Sequence, residues 1–244
     1  AKTLEEIALT RGESFYRGAL AKALVCFSEA TGGYLSREDL AAHEPEWVTP
    51  LSTTYRGYTV HELPPNTQGV AVLLALNLLE GFDLKGMGEV ERLHIQLEAM
   101  KLALSDTYRH VADPRFMEIP PSAFLDKAYA EERRKLIGKR AQPWADPGLR
   151  PEGTVYLVAA DERLMVSFIQ SNYMGFGAGI LVPGTGIALH NRGAGFSLEP
   201  DHPNCIAPGK RPFHTLIPGF LSRDGEPIGP FGVMGGFMQP QGQI

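Results

Sequence analysis

In the stretch RPEGTVYLVAAD, Arg150 to Asp161, a Gly153-Thr154 step stands at the mouth of an apolar, β-prone run. The flank before it, GKRAQPWADPGLRPEG, is rich in Pro and Gly and has no hydrophobic period. Taken alone, Thr154 is an ordinary β-former where a loop meets a strand. Two other features give its hydroxyl a chemical reading. The run LMVSFIQSN is a hairpin partner that can bring Ser171 or Asn172 back beside the start of the first strand. Further on, GVMGGF holds Gly235 and Gly236, either a simple turn or a pair able to aim backbone N–H groups at an oxyanion. A hydroxyl with a polar neighbour and donors for an oxyanion suits nucleophilic attack on a carbonyl.

Other chemistries find less support. GFGAG, residues 175–179, invites close backbone approach but lacks the third spacing of a dinucleotide-binding GxGxxG. Cys26 and Cys205 belong to no CxxC motif, and Cys26, inside the apolar run ALAKALVCF, reads as a buried core thiol. The seven histidines show no HExxH-type spacing, so no metal and no organic cofactor is expected. A formal net charge of −5 argues against nucleic-acid binding. The densest basic cluster, EERRKLIGKR, carries its charges beside Glu131 and Glu132 and reads as a solvated helix face. No apolar stretch approaches the roughly 20 residues of a membrane span. With no signal peptide at the start, the expected location is cytoplasmic, although both ends look cut.

The elements that must position these groups divide the chain in two. With 244 residues and 43% hydrophobic content, it can bury a substantial core. Residues 1 to about 140 read mainly helical: GESFYRGALAKALVCFSEATGG, then LSREDLAAH with Ser36 and Asp39 as a capping-box variant, then VAVLLALNLLEGF, EVERLHIQLEAMKLALSDTYRHVAD and SAFLDKAYAEERRKLI. YRGYTVHEL alternates like a strand. From Thr154 onward the pattern is short β-like runs, with Asp224-Gly225 as a hairpin turn. A Pro-rich segment from about 141 to 153 is the one linker. The fold class is α+β, layered and not a parallel βαβ array.

Taken in order, FYRGALAKAL, GGYLSREDLA, ELPPNTQG, YRHVADP, TVYLVAAD, FGAGI, APGKRPFHTLIP and GGFMQPQG resemble the γ-glutamyltransferase (γ-glutamyltranspeptidase) family of N-terminal nucleophile hydrolases. The resemblance implies a four-layer αββα sandwich, made as a precursor that cleaves itself between Gly153 and Thr154. Residues 1–153 then correspond to the C-terminal part of a large subunit and 154–244 to the N-terminal part of a small one, together one structural domain. The protein can be an oligomer. Scission frees an α-amino group beside the Thr154 hydroxyl. Such a group titrates near pH 8, so it is partly free base near neutrality and can take the hydroxyl proton.

By the same resemblance Thr154 is the nucleophile, Ser171 its hydrogen-bonding neighbour, and Gly235 and Gly236 the oxyanion pair. Either Asn172 or Tyr173 touches substrate. Three positions depart from glutamyl-specific members. Gly195 stands where an aspartate holds the α-amino group, Arg192 where a glutamine helps hold the amino-acid end, and His214-Thr215 where a Ser-Ser pair binds the α-carboxylate. This pattern is similar to the branch that includes certain cephalosporin acylases. It implies an amide hydrolase or acyltransferase acting on a γ-glutamyl or related acyl amide, with glutaryl-type amides or a non-catalytic binding module as alternatives.

Overall fold

The computed structural model describes residues 1–143 and 154–244, so Gly153 and most of the expected linker lie outside the described residues. In chain order the helices and strands are α1 (Lys2–Thr10), α2 (Glu13–Tyr16), α3 (Ala19–Ala30), α4 (Arg37–Ala41), β1 (Leu51–Tyr55), β2 (Tyr58–Glu62), α5 (Gly69–Leu79), α6 (Glu89–His110), α7 (Pro121–Phe124) and α8 (Lys127–Arg134). After the undescribed segment come β3 (Thr154–Ala160), β4 (Met165–Ser171), β5 (Leu181–Val182), β6 (Ile187–Ala188), β7 (Gly219–Arg223), β8 (Glu226–Phe231) and α9 (Gln239–Gln243). Two compact units result: residues 1–47 with 176–191, and residues 48–175 with 192–244. Each draws on sequence from both sides of the Gly153-Thr154 step.

In the first unit, α3 buries Leu20, Ala21, Leu24 and Val25. Cys26 lies one step round the helix from that stripe and is exposed, so it is not the core thiol its apolar neighbours suggest. The expected single helix around it is broken at Gly18, where a Cβ would lie 2.7 Å from Ser14 Cα. Helix α4 begins with the expected reciprocal cap: Asp39 N donates to Ser36 Oγ and Ser36 N donates to Asp39 Oδ2.

The second unit is built round α5, all eleven residues of which are buried. A helix apolar on every side needs neighbours on every side. The antiparallel sheet β1-β2-β7-β8 supplies one, through Val60 and Leu221, joined by Ile217 just before β7. Helix α6 supplies another, through Ile95, Ala99, Met100, Ala103 and Leu104. The polar exception, Asn77, accepts from Thr53 Oγ1 at 2.6 Å and Lys127 Nζ at 2.7 Å, and donates to Leu125 O at 3.2 Å.

Helix α8 docks through charge. Arg133 pairs with Asp106 at 2.7 Å, and Arg134 donates to the carbonyls of Leu78 and Asn77 at the end of α5, both at 2.9 Å. Two arginines of the basic cluster therefore turn inward, and only part of it is the solvated face expected from its composition. The sheet also contains a strand, β1, that the helical reading of the first 140 residues omits, and β2 pairs with β7 from the far end of the chain.

One carboxyl in this core stands without a partner. Glu62, 1% exposed at the end of β2, has no hydrogen bond to either oxygen among the described residues. Cβ atoms at Gly219 and Gly69 would lie only 2.9 and 3.2 Å from its oxygens, so small neighbours make room for it. Burial pushes its carboxyl well above the usual carboxylate range, because nothing offsets the lost hydration of the charged form. The folded state then holds this proton more tightly than the unfolded chain. Its contribution is fully favourable below about pH 4.3, the unfolded value, and is lost as pH rises toward the folded pKa. Glu62→Gln is therefore expected to match the wild type near pH 4 and to exceed it increasingly above pH 5, by up to about 1.4 kcal/mol per pH unit. Urea unfolding of both proteins across pH 4–8 checks it; parallel curves would show that Glu62 stays solvated.

Candidate active site

All the candidate residues described lie in the second unit. Strands β3 and β4 form a hairpin in the register Thr154↔Ser171, Tyr156↔Ile169, Val158↔Ser167. Local chemistry at the turn fixes that register: Asp161 Oδ1 accepts from Arg163 N at 2.7 Å and Leu164 N at 2.8 Å. Those backbone donors hold the exposed Asp161 carboxyl below its ordinary range. A slip of one residue would send every side chain to the opposite face, so the turn decides whether Ser171 or its neighbour meets Thr154. It is Ser171, of the two residues the hairpin reading left open.

Ser171 Oγ is held from two sides. Arg192 Nη2 donates to it at 2.5 Å and Tyr173 N at 3.3 Å. Arg192 is only 7% exposed; its Nη1 donates to Thr215 Oγ1 at 2.9 Å and its guanidinium lies 4.8 Å from the centre of the Tyr173 ring. Tyr173 has a left-handed backbone with φ 81°, a strained conformation for a bulky residue, and a buried ring edge-on to Phe237. Asn172, by contrast, lines a cavity of about 320 Å³ together with Val155, Gln170, Ser171 and Gly175. Of the two alternatives for substrate contact, Asn172 faces open space and Tyr173 faces the core. A larger cavity of about 930 Å³ at the start of α6, among Phe82, Met87, His94 and Ile137, carries none of this chemistry.

Gly235 and Gly236 follow β8 with φ of 127° and 49°, both in the region that favours glycine. Among the described residues, neither backbone N–H donates to a protein acceptor. Two contacts of neighbouring residues help hold the segment that carries the pair. Phe237, next in sequence, stacks on Phe213 with ring centres 6.0 Å apart, and Gly232 abuts the Tyr156 ring, where a Cβ would lie 2.7 Å from Tyr156 Cε2. The second contact ties the glycine segment to the inner face of the hairpin that begins at Thr154.

The residue that sequence reasoning missed is Gln68. Fully buried before α5, it donates from Nε2 to Thr215 O at 2.8 Å and Gly236 O at 2.7 Å, while its backbone N–H donates to His214 O at 3.0 Å. Asn66 adds Nδ2 to Pro212 O at 2.6 Å and accepts from His214 N at 3.0 Å. The PPNTQG segment is thus the bracket that positions both His214-Thr215 and the glycine pair. Its signal was the two amides, Asn66 and Gln68, directly ahead of a helix apolar but for Asn77. Asp113 plays a similar part upstream: it takes Arg115 at 2.6 Å and Arg211 N at 3.0 Å, anchoring the loop that leads to His214. These donors, the Arg115 guanidinium first, hold its carboxyl well below the usual range. Gly195 sits so close to Phe213 O that a Cβ would lie 2.7 Å from it.

Among the described residues no group of three or more His, Cys, Asp or Glu is arranged to hold a metal, and no helix is long and apolar enough to cross a membrane.

The sequence matches the Gamma-glutamyltranspeptidase family over residues 1–244. It is 41% identical over 248 residues to the glutathione hydrolase-like YwrD proenzyme of Bacillus subtilis, covering 100% of this chain and 47% of that one. It is 36% identical over 245 residues to the oxamate amidohydrolase proenzyme of Klebsiella pneumoniae, covering 100% and 46%. The crystal structure of cephalosporin acylase from Bacillus halodurans superposes with a TM-score of 0.93 at 55% identity, over 100% of this chain and 45% of that one. The chain thus spans about half the length of the relatives it matches.

Proposed function

Since the chain belongs to the gamma-glutamyltranspeptidase family, we propose that it is part of an autoprocessing amide hydrolase or acyltransferase that works through an acyl-Thr154 ester. Two subunits of an αββα sandwich arise from one precursor at Gly153-Thr154. In the precursor, Thr154 Oγ1 attacks the Gly153 carbonyl carbon and the peptide nitrogen leaves as the α-amine of Thr154. Water then opens the resulting ester. In turnover the α-amine takes the hydroxyl proton, Oγ1 attacks the substrate amide, and the N–H groups of Gly235 and Gly236 receive the oxyanion. The leaving amine departs with the proton, and water or a second amine resolves the ester. The observation that carries this reading is the pairing of Thr154 with Ser171 at the open end of a hairpin packed against Gly232, three residues before the glycine pair. The names of the relatives, each a proenzyme, support it. Intact mass of the purified full-length protein tests it: two chains whose smaller one begins at Thr154 are expected, and a stable single chain would overturn it.

A second reading, on substrate class, has its own support. A dry α-ammonium needs a negative partner. Gly195 provides none and has no room for one, while Arg192 places a buried cation close by. Acyl groups without an α-amino group, such as glutaryl, suit this pocket better than γ-glutamyl groups. On the processed protein, kcat/KM is expected to be higher for a glutaryl anilide than for the γ-glutamyl anilide. A tenfold preference for the γ-glutamyl compound, about 1.4 kcal/mol in transition-state binding, would reverse the assignment.

A further inference from the structure

A serine hydroxyl has two lone pairs and one proton. At Ser171 both lone pairs are engaged, by Arg192 Nη2 and Tyr173 N. Neither partner can accept a hydrogen bond in return, because a guanidinium and a backbone N–H are donors only. The Ser171 proton must therefore go elsewhere. Its registered cross-strand neighbour is Thr154, and directly opposed residues hold their Cβ atoms about 4.5–5.5 Å apart on one face of the sheet; no hydrogen bond joins the two hydroxyls in this structure, and the bond argued for forms as Thr154 enters the reaction.

Resting on the nucleophile assigned to Thr154 above, we propose that Arg192 is a positioning residue: it locks Ser171 as a hydrogen-bond donor to Thr154 Oγ1. Locked in this way, Ser171 cannot compete with the α-amine for the Thr154 proton, and it stabilises charge on Oγ1 as the proton leaves. The lock is rigid. Arg192 is buried, its other Nη atom is spent on Thr215 Oγ1, its flat face lies over the Tyr173 ring, and Gln68 holds the Thr215 carbonyl from behind. A planar fork that spans two hydroxyls is a task for arginine, which a lysine can perform at only one of them. The guanidinium is also committed to protein groups, which separates this role from that of a clamp on the substrate's own carboxylate.

A double-mutant cycle in the full-length, processed enzyme tests the proposal, using a glutaryl anilide and an uncharged acyl anilide. Arg192→Met is expected to lower kcat on the order of 10²-fold on both substrates with KM little changed, and Arg192→Lys to restore part of that loss. In a Ser171→Ala background the same Arg192→Met change is expected to cost nothing further, because its target is gone. Additive losses in the cycle would overturn the proposal. So would a rise in KM confined to the glutaryl substrate, which would make Arg192 a carboxylate clamp instead. If a variant fails to process, the rate of precursor scission is read in place of kcat through the same cycle. Failure of Thr154→Ala to block scission would remove the nucleophile assignment itself, an outcome distinct from wild-type kinetics in Arg192→Met.

Discussion

Thr154→Ala is expected to leave the full-length precursor as one chain and to abolish amide turnover. In the proposed mechanism both reactions draw on one oxygen. Before scission that oxygen must attack the carbonyl immediately preceding it, and afterwards it must attack substrate; alanine supplies neither nucleophile. The fold should survive, because Thr154 is half-buried at the first position of β3 and its backbone pairing with Ser171 does not depend on the side chain. Thr154→Ser retains the hydroxyl and the adjacent amine, so it is expected to process and to keep measurable activity. Denaturing electrophoresis and intact mass read scission, and anilide hydrolysis reads turnover. Scission of Thr154→Ala at the wild-type rate would place the nucleophile elsewhere.

The next largest effect is expected at Gly236. Its φ of 49° is accessible to glycine at no cost, whereas a β-branched side chain is strained there. Gly236→Val should therefore tilt the peptide that presents the N–H and crowd the oxyanion, lowering kcat by about 10²–10³, the loss typical of removing one such donor. Gly236→Ala carries less bulk and should fall between. Circular dichroism and thermal melting establish that each variant is folded before kcat is compared. Normal turnover in a folded Gly236→Val protein would dismiss the pair from the site.

What could be read from the sequence was what local chemistry decides. The turn of the Thr154 hairpin at Asp161, the Ser36–Asp39 cap and the Asp224-Gly225 turn each rest on residues a few positions apart. Positions that depend on distant partners were hidden. Gln68 is one amide among several until its bonds to residues 147 and 168 positions away are seen. Arg134 looks solvated until α8 is docked against the end of α5. Cys26 sits in an apolar run, but the stripe that packs is offset from it by one residue. Arg192 could be recognised as a departure from the glutamyl-specific pattern. Its burial between Ser171 and Thr215, on which the proposed positioning role rests, needed three dimensions.

If the chain is cut at Gly153-Thr154 as proposed, the pairing of β2 with β7 has a consequence for how the protein can come apart. His61 and Ser222, joined across that ladder at 2.7 Å, are 161 residues apart in sequence, and the Gly153-Thr154 step lies between them. In the precursor this is an internal ladder, and unfolding and refolding are unimolecular. Once the step is cut, the same hydrogen bonds join two separate polypeptides, and Gln68 reaches across the same divide to Gly236. Mass action then governs reassembly: the lost tether makes recovery from denaturation depend on protein concentration. The severed peptide bond also cannot be remade by refolding. Endurance of a protein so cut becomes a matter of its unfolding barrier more than of its equilibrium stability, and the β2–β7 ladder is among the contacts that must break.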